Sequence, residues 1–305
     1  MISASSPQAV VAIARTTARE ALRAPVTGVV LALGVALTLA SPEVAIFTLG
    51  DARGFVLDLG ASTVLLATLF LAATTGALGA AERVQDGTAL LVLTKSVSAF
   101  EYVLGTFLGT ASVLAFSGLL LGLAVTHAVV RGAPGTGWLD AVALAAALGA
   151  GARASRAGRS FQTAALLALA PAGALAVLGR LALSGGSPLV PLAALGTLLS
   201  VLAGCAYLAL GVLLAMRTPP AVAAAATLGA AVLGAASSGL AASRTATLLR
   251  LFVPDLGFFS IGEAAYSDEL SLPLALVASV ALWTAVYSLA ALALGAVLLD
   301  RRELG

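Results

Sequence analysis

The densest run of polar side chains in this sequence is Glu82-Arg83-Val84-Gln85-Asp86-Gly87-Thr88, continued by Lys95, Ser98 and Glu101. These residue types at this spacing suit a turn and a short helix rather than catalysis. Gly87 permits backbone geometry that other residues avoid, Thr88 can cap a following helix, and Asp86 favours that helix's positive end. Leu90, Leu91 and Leu93 give the helix an apolar side and leave Thr94, Lys95 and Ser98 polar. A short amphipathic helix of this kind either docks into a groove of a soluble protein or lies on a bilayer surface. A second patterned group is Arg15, Arg19 and Arg23, one every four residues and so on one helical face. Val11, Ala14, Ala18 and Leu22 populate the other face. That pattern suits a helix over 8–24 lying in the membrane interface, its arginines reaching anionic headgroups. The alternative is the basic lead of a signal peptide, with 26–40 as its apolar part.

The scarce residues limit the chemistry further. One cysteine, Cys205, one histidine, His127, and two methionines, Met1 and Met216, cannot supply a cysteine cluster or a copper or haem relay, so no metal site is expected. The only lysine, Lys95, has no G-x-x-x-x-G-K-[ST] around it, so no nucleotide site is expected in this chain. H-E-x-x-H and G-x-S-x-G are missing too, and no catalytic residue or cofactor is assigned. Energy from ATP has to arrive through a partner.

Composition explains what must position these groups. The chain has 305 residues, 60% hydrophobic and 10% charged, with a mean hydropathy of +1.08. Soluble domains carry roughly 25% charged residues, so a water-soluble enzyme is excluded. The net charge of +2 reflects arginines between long apolar runs, which argues against a nucleic-acid partner. A span needs about 20 apolar residues. The sequence predicts an all-α polytopic membrane bundle in one domain over 1–305, with spans near 26–40, 59–81, 102–130, 138–152, 161–183, 189–216, 221–240 and 272–299. Six of these form a core; 138–152 and 161–183 form an extra hairpin, giving eight. That hairpin puts Arg153, Arg156 and Arg159 on the same side as Arg15, Arg19, Arg23, Arg83 and Lys95, as the positive-inside rule prefers. The loop 41–58 and the segment 241–271 then lie outside, the latter as short interfacial helices. Gly105 with Gly109, and Gly118 with Gly122, have the G-x-x-x-G spacing that lets helices approach closely. No carboxylate sits at the centre of a span, and Arg180 is the nearest ionisable group to one, which counts against ion coupling.

The 82–109 region resembles the signature of type-2 ABC exporter permeases. That signature is an acidic residue, then Gly-Thr, an apolar stripe, a Pro-x-Ser-Arg turn and Gly-Lys at the start of the third span. Here the corresponding residues are Glu82, Gly87-Thr88, Leu90, Leu91 and Leu93, then Ser96-Val97-Ser98-Ala99, and Gly105-Thr106. Ser96, Ala99 and Thr106 replace the usual proline, arginine and lysine. Ile13-Ala14-Arg15 with Glu20 and Leu22 resembles the family's interfacial elbow helix. Residues 199–217 resemble its fourth core span, and Arg301-Arg302-Glu303-Leu304 its usual tail. The resemblance extends over most of the chain apart from 131–188 and is nearest to permeases of the nitrous-oxide-reductase maturation type.

This resemblance implies the membrane subunit of an exporter in a bacterial or archaeal inner membrane, paired as a homodimer or with a second permease. It implies two ATPase partner subunits that hold the ATP and magnesium. Contact with them falls to the 82–101 segment, through Glu82, Asp86, Gly87, Thr88, Lys95, Ser98 and Glu101. The alternatives are a secondary transporter or membrane enzyme, which needs intramembrane charges, and an anchoring or assembly protein that acts on an outer partner through 241–271.

Overall fold

A computed structural model describes residues 7–45, 52–93, 97–130, 137–158, 160–184, 189–239, 252–261 and 274–303. The chain is an all-α polytopic helix bundle. In chain order the helices are α1 (Pro7–Arg23), α2 (Pro25–Val44), α3 (Ala52–Leu71), α4 (Gly79–Gln85), α5 (Thr88–Leu93), α6 (Ala99–Val130), α7 (Gly137–Arg156), α8 (Phe161–Ser184), α9 (Val190–Ala215), α10 (Pro220–Gly239) and α11 (Leu274–Glu303). A π-helical stretch, Ala72–Leu78, joins α3 to α4 in one continuous rod. Asp58 therefore lies inside a helix, not in the outer loop expected for 41–58. Ser41, Pro42 and Glu43 likewise extend α2 beyond its expected end.

Seven helices among the described residues are long and apolar enough to cross a membrane: Pro25–Val44, Gly54–Gln85, Ala99–Val130, Phe161–Ala182, Val190–Ala215, Pro220–Ser237 and Ala275–Arg301. This makes the chain a multi-pass membrane protein. The expected count of eight is corrected to seven on that measure. The missing one is α7, which runs for 20 residues instead of the 15 expected, but whose sequence carries Asp140 and the terminal Arg153 and Arg156. At 1.5 Å per residue it is nevertheless about 30 Å long. It packs along α8 as a hairpin, through a turn where Gly158 takes φ +68°.

The hairpin's position in the bundle is fixed by Gln162. Its Nε2 donates to the carbonyls of Leu22 and Ala24, at 3.1 and 3.0 Å. The α7–α8 turn thus lies at the same end as the α1–α2 joint, with Arg153 and Arg156 on the side of Arg15, Arg19 and Arg23. All five are exposed.

Both G-x-x-x-G pairs are used. A Cβ on Gly105 would come within 2.9 Å of Ile13 Cβ, and one on Gly109 within 2.5 Å of the Ala14 carbonyl. The first pair therefore seats α1 against α6. The second seats α9, since Gly118 meets Val201 and Gly122 meets Thr197. Helix α9 is the centre of the bundle, with Tyr207, Leu208, Val212 and Ala215 fully buried. It is tied to α3 by the Thr68 hydroxyl, which donates to the Ser200 carbonyl at 3.0 Å.

Of the expected outer segment 241–271, residues 252–261 are described; they hold one short 3-10 helix, Leu256–Phe259, with one side packed on the bundle while Phe252 and Phe258 stay exposed. Leu256, Phe259 and Ile261 are buried. The Tyr207 hydroxyl donates to the Pro254 carbonyl at 2.5 Å, and the Tyr287 hydroxyl to the Phe252 carbonyl at 2.8 Å. Phe259 meets the Trp283 ring edge-on, and Trp283 stacks on Tyr287. Tyr207 lies about 25 Å along α9 from its Val190 end, so its hydroxyl holds the segment well inside the helix ends.

Candidate functional site

The polar run singled out in the sequence forms the end of the α3–α4 rod, the turn at Gly87, helix α5 and the start of α6. Helix α4 stops because Gly87 takes φ +74°, a conformation that a Cβ disfavours. The Gly87 carbonyl then accepts the Leu91 N–H at 3.2 Å and opens α5. Thr88 therefore stands inside the first turn and is not the cap expected for it. Ala89 is buried and anchors α5, while Leu90 and Leu91 point outward, Leu91 being 69% exposed. Glu82, Asp86 and Thr88 are exposed as well, so the tip presents carboxylates beside two leucines. Lys95 lies outside the described residues.

Ser98 and Glu101 turn towards each other. The Glu101 carboxylate accepts the Ser98 N–H at 2.8 Å and the Ser98 hydroxyl at 3.0 Å, while the Glu101 N–H donates to the Ser98 hydroxyl oxygen at 3.2 Å. This is a reciprocal capping box that starts α6. Glu101 is only 6% exposed, so its charge is committed to that cap more than to the surface.

Behind the tip, Arg83 reaches α1. Its Nη1 lies 2.8 Å from Glu20 Oε2, an ion pair across 63 residues. On its other side Arg83 neighbours Tyr102, with Thr106 one turn further along α6. The Arg83 Nε and Nη2, the Tyr102 hydroxyl and the Thr106 hydroxyl are buried and make no hydrogen bond among the described residues. A polar seam thus runs beneath the tip, between α1, α4 and α6. In front of it, an open groove of about 450 Å³ separates Ala9, Ala12 and Ile13 of α1 from Thr88, Leu91 and Val92 of α5, with Val97 at its edge.

The structure brings Glu82, Asp86, Gly87 and Thr88 together at one tip and assigns Ser98 and Glu101 to the base of the next helix. Arg15, Arg19 and Arg23 share the exposed face of α1, whose buried face carries Thr17 and Ala21. The residues not anticipated are Glu20 with Arg83 as an ion pair, Gln162 as the hairpin's tether, and Tyr207 as the anchor of residues 252–261. Among the described residues no three or more of His, Cys, Asp and Glu come close enough to hold a metal ion. The arrangement offers docking and mechanical linkage: an exposed tip, joined by the Gly87 turn to a membrane-crossing rod whose end is ion-paired to α1. Comparison with protein-family models and with curated proteins matches neither a family nor a relative of this chain.

Proposed function

We propose that this chain is the membrane-spanning permease subunit of an ATP-driven ABC-type exporter, moved by a separate ATPase that grips the 82–101 segment. The observation that carries this reading is the exposed α5 tip with Leu90 and Leu91, joined by the Gly87 turn to the end of the α3–α4 rod. A load on the tip is delivered along α3, and through Arg83–Glu20 to α1. Exposed apolar side chains flanked by carboxylates suit a groove on a folded protein. ATP and magnesium belong to the partner, and two permease halves, identical or paired, form the route. The wall of α2, α3 and α10 supplies a surface for a second copy: its open apolar groove of about 540 Å³ is lined by Leu33, Leu66, Phe70 and Val232. The setting is the inner membrane of a bacterium or archaeon, with the arginine-rich end facing the cytoplasm.

A second reading, a secondary transporter, draws on Arg180, which is 1% exposed within α8. An ionisable side chain buried in a membrane span is a functional-site hypothesis in its own right. The test is co-purification from native membrane with an affinity tag on the C-terminus and ATPase assay of the eluate. The exporter reading expects a stoichiometric ATPase subunit that is lost on deleting 86–98. A chain that purifies alone and without ATPase activity contradicts it.

A further inference from the structure

Helices α2 and α8 start side by side and then part. Gln162 holds the joint: besides its bonds to the Leu22 and Ala24 carbonyls, its side chain lies 2.9 Å from where Gly28 would carry a Cβ. Both helices run away from this joint in the same direction. Some seven to eleven residues on, about 10–16 Å along either axis, Val35 and Leu39 of α2 face Leu169 and Gly173 of α8 across a cavity. Helix α8 meanwhile packs along α6, so α6 forms the back wall and α7 lies beside the gap. The space measures about 310 Å³. Small residues keep it open, namely Ala124 on α6, Ala143 on α7 and Gly173 on α8. Gly173 does not serve close helix packing as Gly109 does. A Cβ there would have Leu123 Cδ1 as its nearest neighbour, at an ordinary 3.8 Å.

The lining decides what can enter. Its one polar side chain among the described residues is that of His127, a residue that already interacts within the protein. A charged guest would be taken from the interface into apolar surroundings without a counter-charge, which is costly. The guest is therefore neutral. The volume is about twice the roughly 150 Å³ of an apolar cavity that admits one benzene ring. It is drawn out along α8, since the lining from Leu169 to Val177 covers about 12 Å. That shape suits one hydrocarbon chain better than a compact ring. Val35, Leu39 and Leu169 are half-buried and Leu144 is exposed, so the mouth between α2 and the hairpin opens towards the membrane. Left empty, the walls forgo dispersion contacts that a fitting guest from the bilayer restores.

We propose that the cleft between α2 and the α7–α8 hairpin is a lateral site for a neutral, single-chain apolar molecule of medium length, drawn from the bilayer. The proposal is independent of the ATPase reading, since neither ATP nor a partner enters its test. Full-length protein in nanodiscs of zwitterionic lipid is labelled with a photoactivatable diazirine analogue of decanol, and the labelled peptides are mapped. Helix α11 supplies the internal reference, because Leu282 and Val286 are exposed on its lipid-facing side. The expected result is labelling on α2 and α8 around the cavity that excess decanol removes, while labelling at the α11 reference persists. Decyl sulfate and decyltrimethylammonium should need about tenfold higher membrane mole fractions to compete, since a charged head resists leaving the interface. G173L and A143L fill the space from two different helices, and each should abolish the competable labelling. Labelling at the cavity that decanol removes no better than at α11 overturns the proposal. So does equal competition by the neutral and the charged amphiphiles, or competable labelling that survives both filling variants. If the variants fail to fold, the two competition comparisons on the unaltered protein still decide.

Discussion

Arg83 Nη1 lies 2.8 Å from Glu20 Oε2, and this pair joins helix α1 to the end of the α3–α4 rod. Glu20 is 57% exposed and Arg83 20%, so solvent screens their attraction. A double-mutant cycle with E20Q and R83Q is expected to give a coupling of about 0.2–1 kcal/mol in thermal unfolding. If the exporter reading holds, the functional effect is expected to be larger than this, because the pair would then lie on the path from the tip to α1. The charge-swapped pair E20R/R83E should recover part of what either reversal alone loses in transport-coupled ATPase activity.

Gly87 forms the turn that sets the tip. G87V forces a β-branched residue to φ +74°, a strain of about 1–3 kcal/mol. The strain is local to α5, so the bundle should unfold at nearly the same temperature while partner retention in a tagged purification falls. G79A is the matched control: nothing lies within 4 Å of the Cβ it adds, and helix propensity favours the change.

G109L drives a side chain into the Ala14 carbonyl and Thr17. Helix α1 should lift from α6, with a cost of about 1–3 kcal/mol typical of overpacking. Cysteine-accessibility labelling at Thr17, which is 3% exposed, should rise from near zero. G149L, on a glycine with open space around it, should leave that labelling unchanged.

Much of this architecture was legible because its signals are local. Apolar run lengths marked the spans, and Ser98 with Glu101 three residues later is a capping box in sequence as well as in space. The two G-x-x-x-G pairs named the faces of α6 that later met α1 and α9. What the sequence did not disclose depends on residues far apart along the chain. Glu20 and Arg83 were each visible as charges, but only the crossing of α1 over the end of α3–α4 pairs them. The π-helical stretch at Ala72–Leu78 has no composition of its own. Residues 252–261 have the aromatics of an interfacial segment, and the Tyr207 and Tyr287 hydroxyls, distant in sequence, tie their backbone to α9 and α11. Helix α7 was underestimated because Arg153 and Arg156 read as the end of an apolar run, whereas a helix continues through them into solvent.

Y207F tests that fold-back. It leaves the Pro254 carbonyl without its 2.5 Å donor, at a cost of about 1–3 kcal/mol for a buried acceptor. Proteolysis within 252–261 should become faster, while the α5 tip keeps its protection pattern.

The central claim is that the α5 tip is where a soluble ATPase takes hold. The most direct measurement places a photo-crosslinking residue at Leu91, 69% exposed, in native membranes, and identifies the adducts. The account predicts a protein adduct with an ATP-binding chain, formed with an efficiency that changes when ATP is added. Adducts with lipid alone, unchanged by ATP, would contradict it and leave α5 as a helix resting on the bilayer surface.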